Sequence, residues 1–200
     1  MIRIFIQARM SSSRFPGKVL APFRGRPIIR HVLEAAQVLS NATPTILTSY
    51  EASDSPLRAY ANDSLGVDYF CGDLKNVFKR FQSALKSRPC DWIIRLCGDS
   101  PLLQPRVIQQ VLDNLDPQFE LISNVRAYPK GQRVEAIRTD ALLAVDANQL
   151  WPEFQEHVTA RWHVPSAQWP VCHLPRIYDF ELDNYCVDTI EDLKRLESVE

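Results

Sequence analysis

The chain has 200 residues, 46% of them hydrophobic and 24% charged, an ordinary globular composition with enough length for one well-buried core. A formal net charge of −1 argues against partners recognised through bulk charge, whether nucleic acid or a membrane surface, and no apolar run approaches the ~20 residues of a membrane helix. The five cysteines (Cys71, Cys90, Cys97, Cys172, Cys186) are odd in number, contain no C-x-x-C pair and follow no signal-peptide pattern, which argues against a disulfide framework or a zinc site and for the reducing cytoplasm.

In chain order, apolar β-branched runs bounded by turn residues predict strands at 2–6, 45–48, 67–70, 92–96 and 121–123. Helical spacing falls between them. Pro27 suits a first helical turn ahead of Ile28, Ile29, Val32, Leu33 and Ala36 on one face, and Pro105 stands in the same relation to Val107, Ile108, Val111, Leu112 and Leu115. Residues 56–65 and 76–86 read as shorter crossover helices. Strands alternating with helices make an α/β fold with a mostly parallel sheet covered on both faces. After Asn124 the rhythm changes: a turn-rich loop at 128–131, a short strand at 134–138, helices near 139–147 and 153–162, and a last helix at 189–197 with Ile190, Leu193 and Leu196 at helical spacing. No linker or repeat divides the chain, so a single domain over 1–200 is expected, with 125–200 as an extension of the first part.

Charge is distributed unevenly. Arg3, Arg9, Arg14, Lys18, Arg24, Arg26 and Arg30 precede the first acid, Glu34. A solvated basic face accounts for that on composition alone, but position adds information, because ligands of open α/β sheets bind at the carboxyl ends of strands. The loop from Gln7 to Lys18 follows the first strand and offers three cations, Arg9, Arg14 and Lys18, with hydroxyl donors such as Ser12, a set that suits a triphosphate. It is not a P-loop, since Ser12 stands where the first glycine belongs and Val19 where Ser or Thr would bind magnesium; no G-x-G-x-x-G occurs either. After the fourth strand comes Cys97-Gly98-Asp99-Ser100-Pro101, whose aspartate falls at the same sheet edge and suits a hard cation such as Mg²⁺ against phosphate oxygens. Asp188, in Val187-Asp188-Thr189, reads equally as a metal ligand or as ordinary helix capping.

Three ordered blocks, Ala-Arg-x-x-Ser-x-Arg-x-Pro-Gly-Lys at 8–18, Gly-Asp-Ser-Pro-Leu at 98–102 and Val-Asp-Thr-Ile-Glu-Asp-Leu at 187–193, resemble the signatures of the sugar cytidylyltransferases, the family of the CMP-Kdo and CMP-sialic acid synthetases. Ser123-Asn124, Tyr128-Pro129-x-Gly131, Val134-Glu135 and Glu156-His157-Val158-Thr159 are similar to the spore-coat polysaccharide biosynthesis branch. The resemblance implies a Rossmann-like nucleotide-diphospho-sugar transferase fold, three layers α/β/α around a mixed, mostly parallel sheet. It also implies transfer of CMP from CTP to a sugar or sugar acid with release of pyrophosphate, for surface polysaccharide or glycoconjugate synthesis. Residues 1–124 then form the nucleotide-binding half and 125–200 the sugar-side half. Arg9, Arg14 and Lys18 match the triphosphate contacts and, with Asp99, the catalytic set; Asp99 and Asp188 match the metal-binding carboxylates, with Mg²⁺ as cofactor. Gln7, Ala8, Ser12, Thr48, Ser49, Cys97 and Gly98 fall in the nucleotide-binding region, where the base is read largely by backbone groups, and Asn124, Tyr128, Glu135, Glu156 and His157 on the sugar side. Family members are often dimers, so the resemblance leaves room for a homodimer, although no segment marks an interface. Two departures bear on the acceptor and base pockets: Arg133 replaces an acid of the closest branch, and Cys97 stands where Thr or Gln is usual.

In the implied reaction an anomeric hydroxyl attacks the α-phosphorus in line with pyrophosphate, and catalysis comes from positioning and preorganised positive charge. The sequence names no general base; Glu135 and His157 are candidates, but lone residues of this kind more often serve a structural or sugar-orienting role. His157 and His163 are six apart and do not share a helix face, and Trp92, Trp162 and Trp169 lie in apolar stretches that suit core packing. Three other readings compete. A glycosyltransferase of similar fold usually carries Asp-x-Asp, absent here; a nucleic-acid or phosphate-binding module needs a wider basic and aromatic face; a non-catalytic family member is opposed by the intact cations and aspartates.

Overall fold

The structure is a computed structural model that describes residues 1–37, 44–165 and 168–199. Its centre is a seven-stranded sheet of order β5-β4-β1-β6-β8-β7-β9, made by β1 (Ile2–Gln7), β4 (Thr45–Ser49), β5 (Tyr69–Gly72), β6 (Trp92–Cys97), β7 (Leu121–Ser123), β8 (Glu135–Arg138) and β9 (Val171–His173). Neighbours are parallel except β8, which runs antiparallel to β6 and β7. A two-residue pair, β2 (Pro22–Phe23) with β3 (Arg26–Pro27), precedes the first helix.

β1 is central because its side chains are wanted on both faces. Ile4 and Ile6 enter one core with Ile29, Val32 and Leu33 of α1 (Ile28–Ala36) and Val107, Ile108 and Val111 of α4 (Pro105–Asp113). Phe5 points the other way, into Phe78, Phe81 and Leu85 of α3 (Val77–Ser87), and meets Phe81 edge-on at 5.9 Å between ring centres. The two-residue side-chain period of the strand thus builds the three layers expected from the sequence. Each large apolar side chain buried this way is worth about 1.5–3 kcal/mol. A third cluster, Phe23, Ile28, Tyr185, Val187 and Leu196, docks the last helix α7 (Ile190–Glu197) on the hairpin and the start of α1.

Several elements differ from the sequence-based expectation for identifiable reasons. β5 starts at Tyr69 rather than 67, because Gly66 turns left-handed at φ 59° and the Val67 N–H is used on the Ala61 carbonyl. The helix expected over 56–65 is a short α2 (Ser55–Ala59) continued as a wider π turn over Tyr60–Leu65. The one expected over 139–147 stops as α5 (Thr139–Leu143). The one expected over 153–162 breaks at His157, giving α6 (Pro152–Glu156) and a separate 3₁₀ turn at Ala160–His163. β9 and the β2–β3 pair had no sequence signal.

Candidate functional site

Parallel register brings three strand ends to one edge: Gln7 lies opposite Cys97 on one side and Leu47 on the other, with Thr48 and Ser49 next along β4. The Gln7 carbonyl accepts from Gly98 N–H at 2.9 Å, and glycine is needed there because a Cβ would lie 2.9 Å from both the Ala8 Cβ and the Ile29 Cδ1. The basic loop then folds on itself. Ser12 and Gly17 both donate N–H to the Met10 carbonyl, at 3.0 and 2.7 Å, with Gly17 left-handed at φ 77°, and the Ser12 hydroxyl accepts from Phe15 N–H. This turn delivers Lys18 into the edge of the sheet, where it is 9% exposed.

Lys18 Nζ donates to Asp99 Oδ2 at 2.7 Å and to Asp188 Oδ1 at 2.8 Å, and Arg14 pairs with Asp188 Oδ2 at 3.0 Å. Burial alone would lower the Lys18 pKa, but the two carboxylates outweigh it and raise the pKa above the ordinary lysine value. For Asp188 the balance is the mirror image: burial pushes its carboxyl up, and Lys18 and Arg14 hold it below the usual range. Asp188 is brought there by Val187, whose N–H donates to the Asp99 carbonyl at 2.9 Å. The capping alternative resolves in favour of its neighbour. Thr189 caps α7 in a reciprocal box with Asp192, so the Asp188 carboxylate is left to face the cations.

Two cavities meet at this pair. A cleft of about 360 Å³ is lined by Gln7, Ala8, Arg9, Ser12, Arg14 and Lys18 together with Cys97, Asp99, Glu156, His157 and Asp188. A second cavity, about 610 Å³, shares Cys97, Asp99, His157 and Asp188 and extends past Arg95, Lys130, Arg133, Glu135, Thr159 and His163. Arg9 and Glu156 bridge the first cleft at 3.3 Å. Among the described residues no group of three or more His, Cys, Asp or Glu side chains clusters as a self-sufficient metal site.

Other predicted residues are placed differently. Glu135 is 1% exposed and saturated: Arg95, Thr159, His163 and Ser123 contact its carboxylate at 3.0, 2.7, 2.8 and 3.2 Å. Burial pushes its pKa up, and His163, Arg95 and Thr159 hold it below the ordinary value, an arrangement that favours the ionised form and a structural role. Asn124 and Tyr128 do not line the second cavity. Asn124 is fully buried, bonding Val134 N–H at 2.8 Å and the Gln132 carbonyl at 3.1 Å, and the Tyr128 hydroxyl is held by Gln110 at 2.7 Å. Both act as frame for the turn between them. Thr48 and Ser49 are buried too, their hydroxyls turned to a residue the sequence reading missed, Asp54.

Asp54 is fully buried after β4 and accepts from Thr48, from the Ser49 hydroxyl and N–H, and from Met10 N–H at 2.7 Å. It therefore ties the basic loop to the end of β4. Burial raises its pKa, but four donors prevail and lower it. Arg80 was also missed: wholly buried, it donates to the carbonyls of Asp73 and Leu74 at 2.7 and 3.1 Å, in space that only Gly72 leaves open. Burial brings its pKa down to about 10, which keeps it charged at neutral pH. Neither carries a sequence signal, since Asp54 looks like an ordinary cap before a helix and Arg80 like an ordinary surface charge within one.

Residues 3–200 match the profile of the family described as Cytidylyltransferase. This chain belongs to that family. A solved cytidylyltransferase from Leptospira borgpetersenii is 28% identical with a TM-score of 0.90, over 98% of this chain and 85% of that one. The Bacillus subtilis spore coat polysaccharide biosynthesis protein SpsF is 27% identical over 99% of this chain and 85% of its own length. A 3-deoxy-manno-octulosonate cytidylyltransferase from Anaeromyxobacter dehalogenans is 28% identical over 73% of this chain, which spans 61% of that relative's length. The Rossmann-like nucleotidyltransferase fold expected from the sequence is the one observed. Among the described residues no helix is long and apolar enough to cross a membrane.

Proposed function

We propose that the chain transfers CMP from CTP to a sugar or sugar acid, releasing pyrophosphate, as a Mg²⁺-dependent cytoplasmic enzyme of surface polysaccharide or glycoconjugate synthesis. The observation that carries this reading is the meeting of two cavities at Asp99 and Asp188, with Lys18 between the two carboxylates. One cavity suits a triphosphate and the other an acceptor, and the transferred phosphorus belongs where they join.

Asp99 and Asp188 fit Mg²⁺ by donor chemistry. They are hard oxygen ligands near enough to share one ammonium, and Mg²⁺ typically takes one or two carboxylates and completes its shell with phosphates and water. When bound, the cation neutralises phosphate charge and orients the leaving group. Arg9, Arg14 and Lys18 hold the triphosphate, and Lys18, released from the carboxylates, takes up charge that grows on the phosphates as the acceptor oxygen bonds to the α-phosphorus and the bond to pyrophosphate breaks. Gln7, Ala8, Ser12 and Cys97 wall the nucleotide side, with Gly98 buried behind them; Glu156, expected on the sugar side, lines this cleft instead, and His157 stands where the two cavities join. The substrates are small molecules, and nucleic acid and membranes play no part; a homodimer belongs to the same reading.

The test is thermal unfolding with CTP, UTP, GTP or ATP, each with and without Mg²⁺, followed by pyrophosphate release with a sugar panel. Ligand at ~100 times its dissociation constant adds roughly 2.7 kcal/mol, and each kcal/mol raises the midpoint by about 2–4 °C at this size. Selective stabilisation by CTP with Mg²⁺, its metal-dependent part lost in Asp99→Ala, supports the reading; a shift only with a nucleotide sugar replaces it with glycosyl transfer.

A further inference from the structure

The two cavities share four lining residues, Cys97, Asp99, His157 and Asp188, and the proposed reaction places the transferred phosphorus where they meet. Attack there needs more than positive charge. A sugar hydroxyl is a weak nucleophile until its proton is drawn off, and the group that draws it must stand within hydrogen-bond reach of the oxygen.

Most of the groups that could do so are already engaged or misplaced. Asp99 and Asp188 face Lys18, and the proposed reaction assigns both to Mg²⁺. Cys97 and Cys186 are free thiols, a group ordinarily protonated at neutral pH. Glu135 has four partners for its carboxylate. His163 Nε2 bonds Glu135 at 2.8 Å, and its Nδ1 is buried away from the cavity. Glu156 lines only the nucleotide cleft and is bound to Arg9, while Glu153 lines only the acceptor cavity. His157 is left. It lines both cavities, and its ring nitrogens, unlike those of His31 and His163, bond to no described residue.

The backbone fixes this histidine while leaving the imidazole free. His157 leaves the end of α6 at φ −102° and ψ 88°. Its N–H donates to the Glu153 carbonyl and its own carbonyl accepts from Ala160 N–H, both at 2.9 Å. On one side Glu156 is tied to Arg9 of the basic loop. On the other Val158 is wholly buried, and the Thr159 hydroxyl donates to Glu135 at 2.7 Å. The segment is therefore anchored to the walls of both cavities. His157 is also exposed, so a proton it receives can pass on to water.

From this arrangement we infer that His157 is a catalytic residue, the general base that takes the acceptor's hydroxyl proton as the sugar oxygen attacks. The inference rests on the proposed transfer reaction. One ring nitrogen accepts the proton, and the oxygen's electron pair forms the new bond to the α-phosphorus. The bond from that phosphorus to the bridging oxygen breaks, and its electron pair leaves with pyrophosphate. His157 then gives the proton to solvent. Its part lies at the attacking oxygen, so its loss slows turnover and leaves nucleotide binding alone.

The experiment follows pyrophosphate release by the whole chain with saturating CTP and Mg²⁺. The acceptors are 3-deoxy-manno-octulosonate, N-acetylneuraminate, mannose and N-acetylglucosamine. Calorimetric CTP binding and the midpoint of unfolding are measured for each variant. With an acceptor that the wild type uses, kcat in His157→Gln is expected to fall by about 10²- to 10⁴-fold, the range of a positioned base, with acceptor KM, CTP affinity and midpoint held. Added imidazole restores turnover in His157→Ala, and among substituted imidazoles the restored rate rises with basicity, a response that a merely structural histidine does not give. A kcat within about threefold of wild type in His157→Gln, a loss that falls on KM or CTP affinity instead, or no recovery of His157→Ala with any imidazole overturns the inference. A wild type that binds CTP yet releases no pyrophosphate with any acceptor removes the proposed reaction and the base together, whereas turnover that His157→Gln leaves intact removes the base alone.

Discussion

At the scale of single residues, Asp54 decides how the basic loop is held. Its carboxylate satisfies the end of β4 and the Met10 N–H together, and an amide in its place has one acceptor oxygen and a donor that finds no acceptor. Asp54→Asn is therefore expected to cost about 2–3 kcal/mol, the scale of a charge-assisted bond lost and a buried donor left unmet, or roughly 4–12 °C in the midpoint. The sign with pH follows from the lowered folded-state pKa. The contribution is fully present above the unfolded carboxylate value, ~3.9, and disappears as pH falls through the still lower folded value. Urea titrations of both proteins should give a gap that is flat from neutral pH to about pH 5 and closes in stronger acid; a gap that closes toward alkaline pH, or no gap at all, contradicts the role given to Asp54. CTP affinity should fall as well, because the loop that carries Arg9 and Arg14 loses its tether to β4.

Elements divide into those the chain declares locally and those only the sheet creates. β1, β4, β6 and β7, α1, α3 and α4 were legible because their apolar runs and spacing show locally, and the residues after β1 and β6 were legible as a candidate site because strand ends are where ligands of open α/β sheets bind. β9 has three residues after Pro170 and exists through pairing with β7, so nothing local announces it. The break of α6 at His157 is likewise a tertiary demand: the chain leaves the helix so that Thr159 and His163 can reach Glu135 on β8. Asp188 was ambiguous for a related reason, since both Asp and Thr are good caps and only the structure assigns the cap to Thr189. That division of labour is measurable. Thr189→Ala should lower stability by about 1 kcal/mol, roughly 2–4 °C, while leaving the Mg²⁺-dependent part of CTP stabilisation intact. Asp188→Asn should remove that metal-dependent part and spare the cap. If the two substitutions behave alike in both readouts, α7 positions Asp188 less independently than the capping box implies.

For the whole molecule, the sequence charge of −1 conceals a fold that gathers opposite charges at one edge. The acid-free first thirty residues supply Arg9, Arg14 and Lys18; Asp99 and Asp188 arrive from 81 and 170 residues later. That Lys18 lies between them could not be read from the sequence, because it depends on β6 lying beside β1 and on Val187 pairing with Asp99. The three cations are also unequal. The side chains of Arg9 and Arg14 are 39% and 63% exposed, whereas that of Lys18 is 11% exposed. Salt screens exposed charges within a Debye length of about 10 Å at 0.1 M and 3 Å at 1 M, and screens buried ones much less. Raising NaCl should therefore weaken CTP binding at fixed Mg²⁺ by roughly 2- to 30-fold, as expected for two exposed cations worth roughly 0.2–1 kcal/mol each. Arg14→Gln should bind more weakly at low salt and depend less on salt. Lys18→Met should lose affinity by a factor that salt leaves nearly unchanged, because the ammonium it removes acts from inside the protein. Calorimetric titrations of the three proteins across a salt series separate these outcomes: a salt slope that survives in Arg14→Gln but vanishes in Lys18→Met would reverse the assignment, making the buried lysine the screened contact and the arginines bystanders.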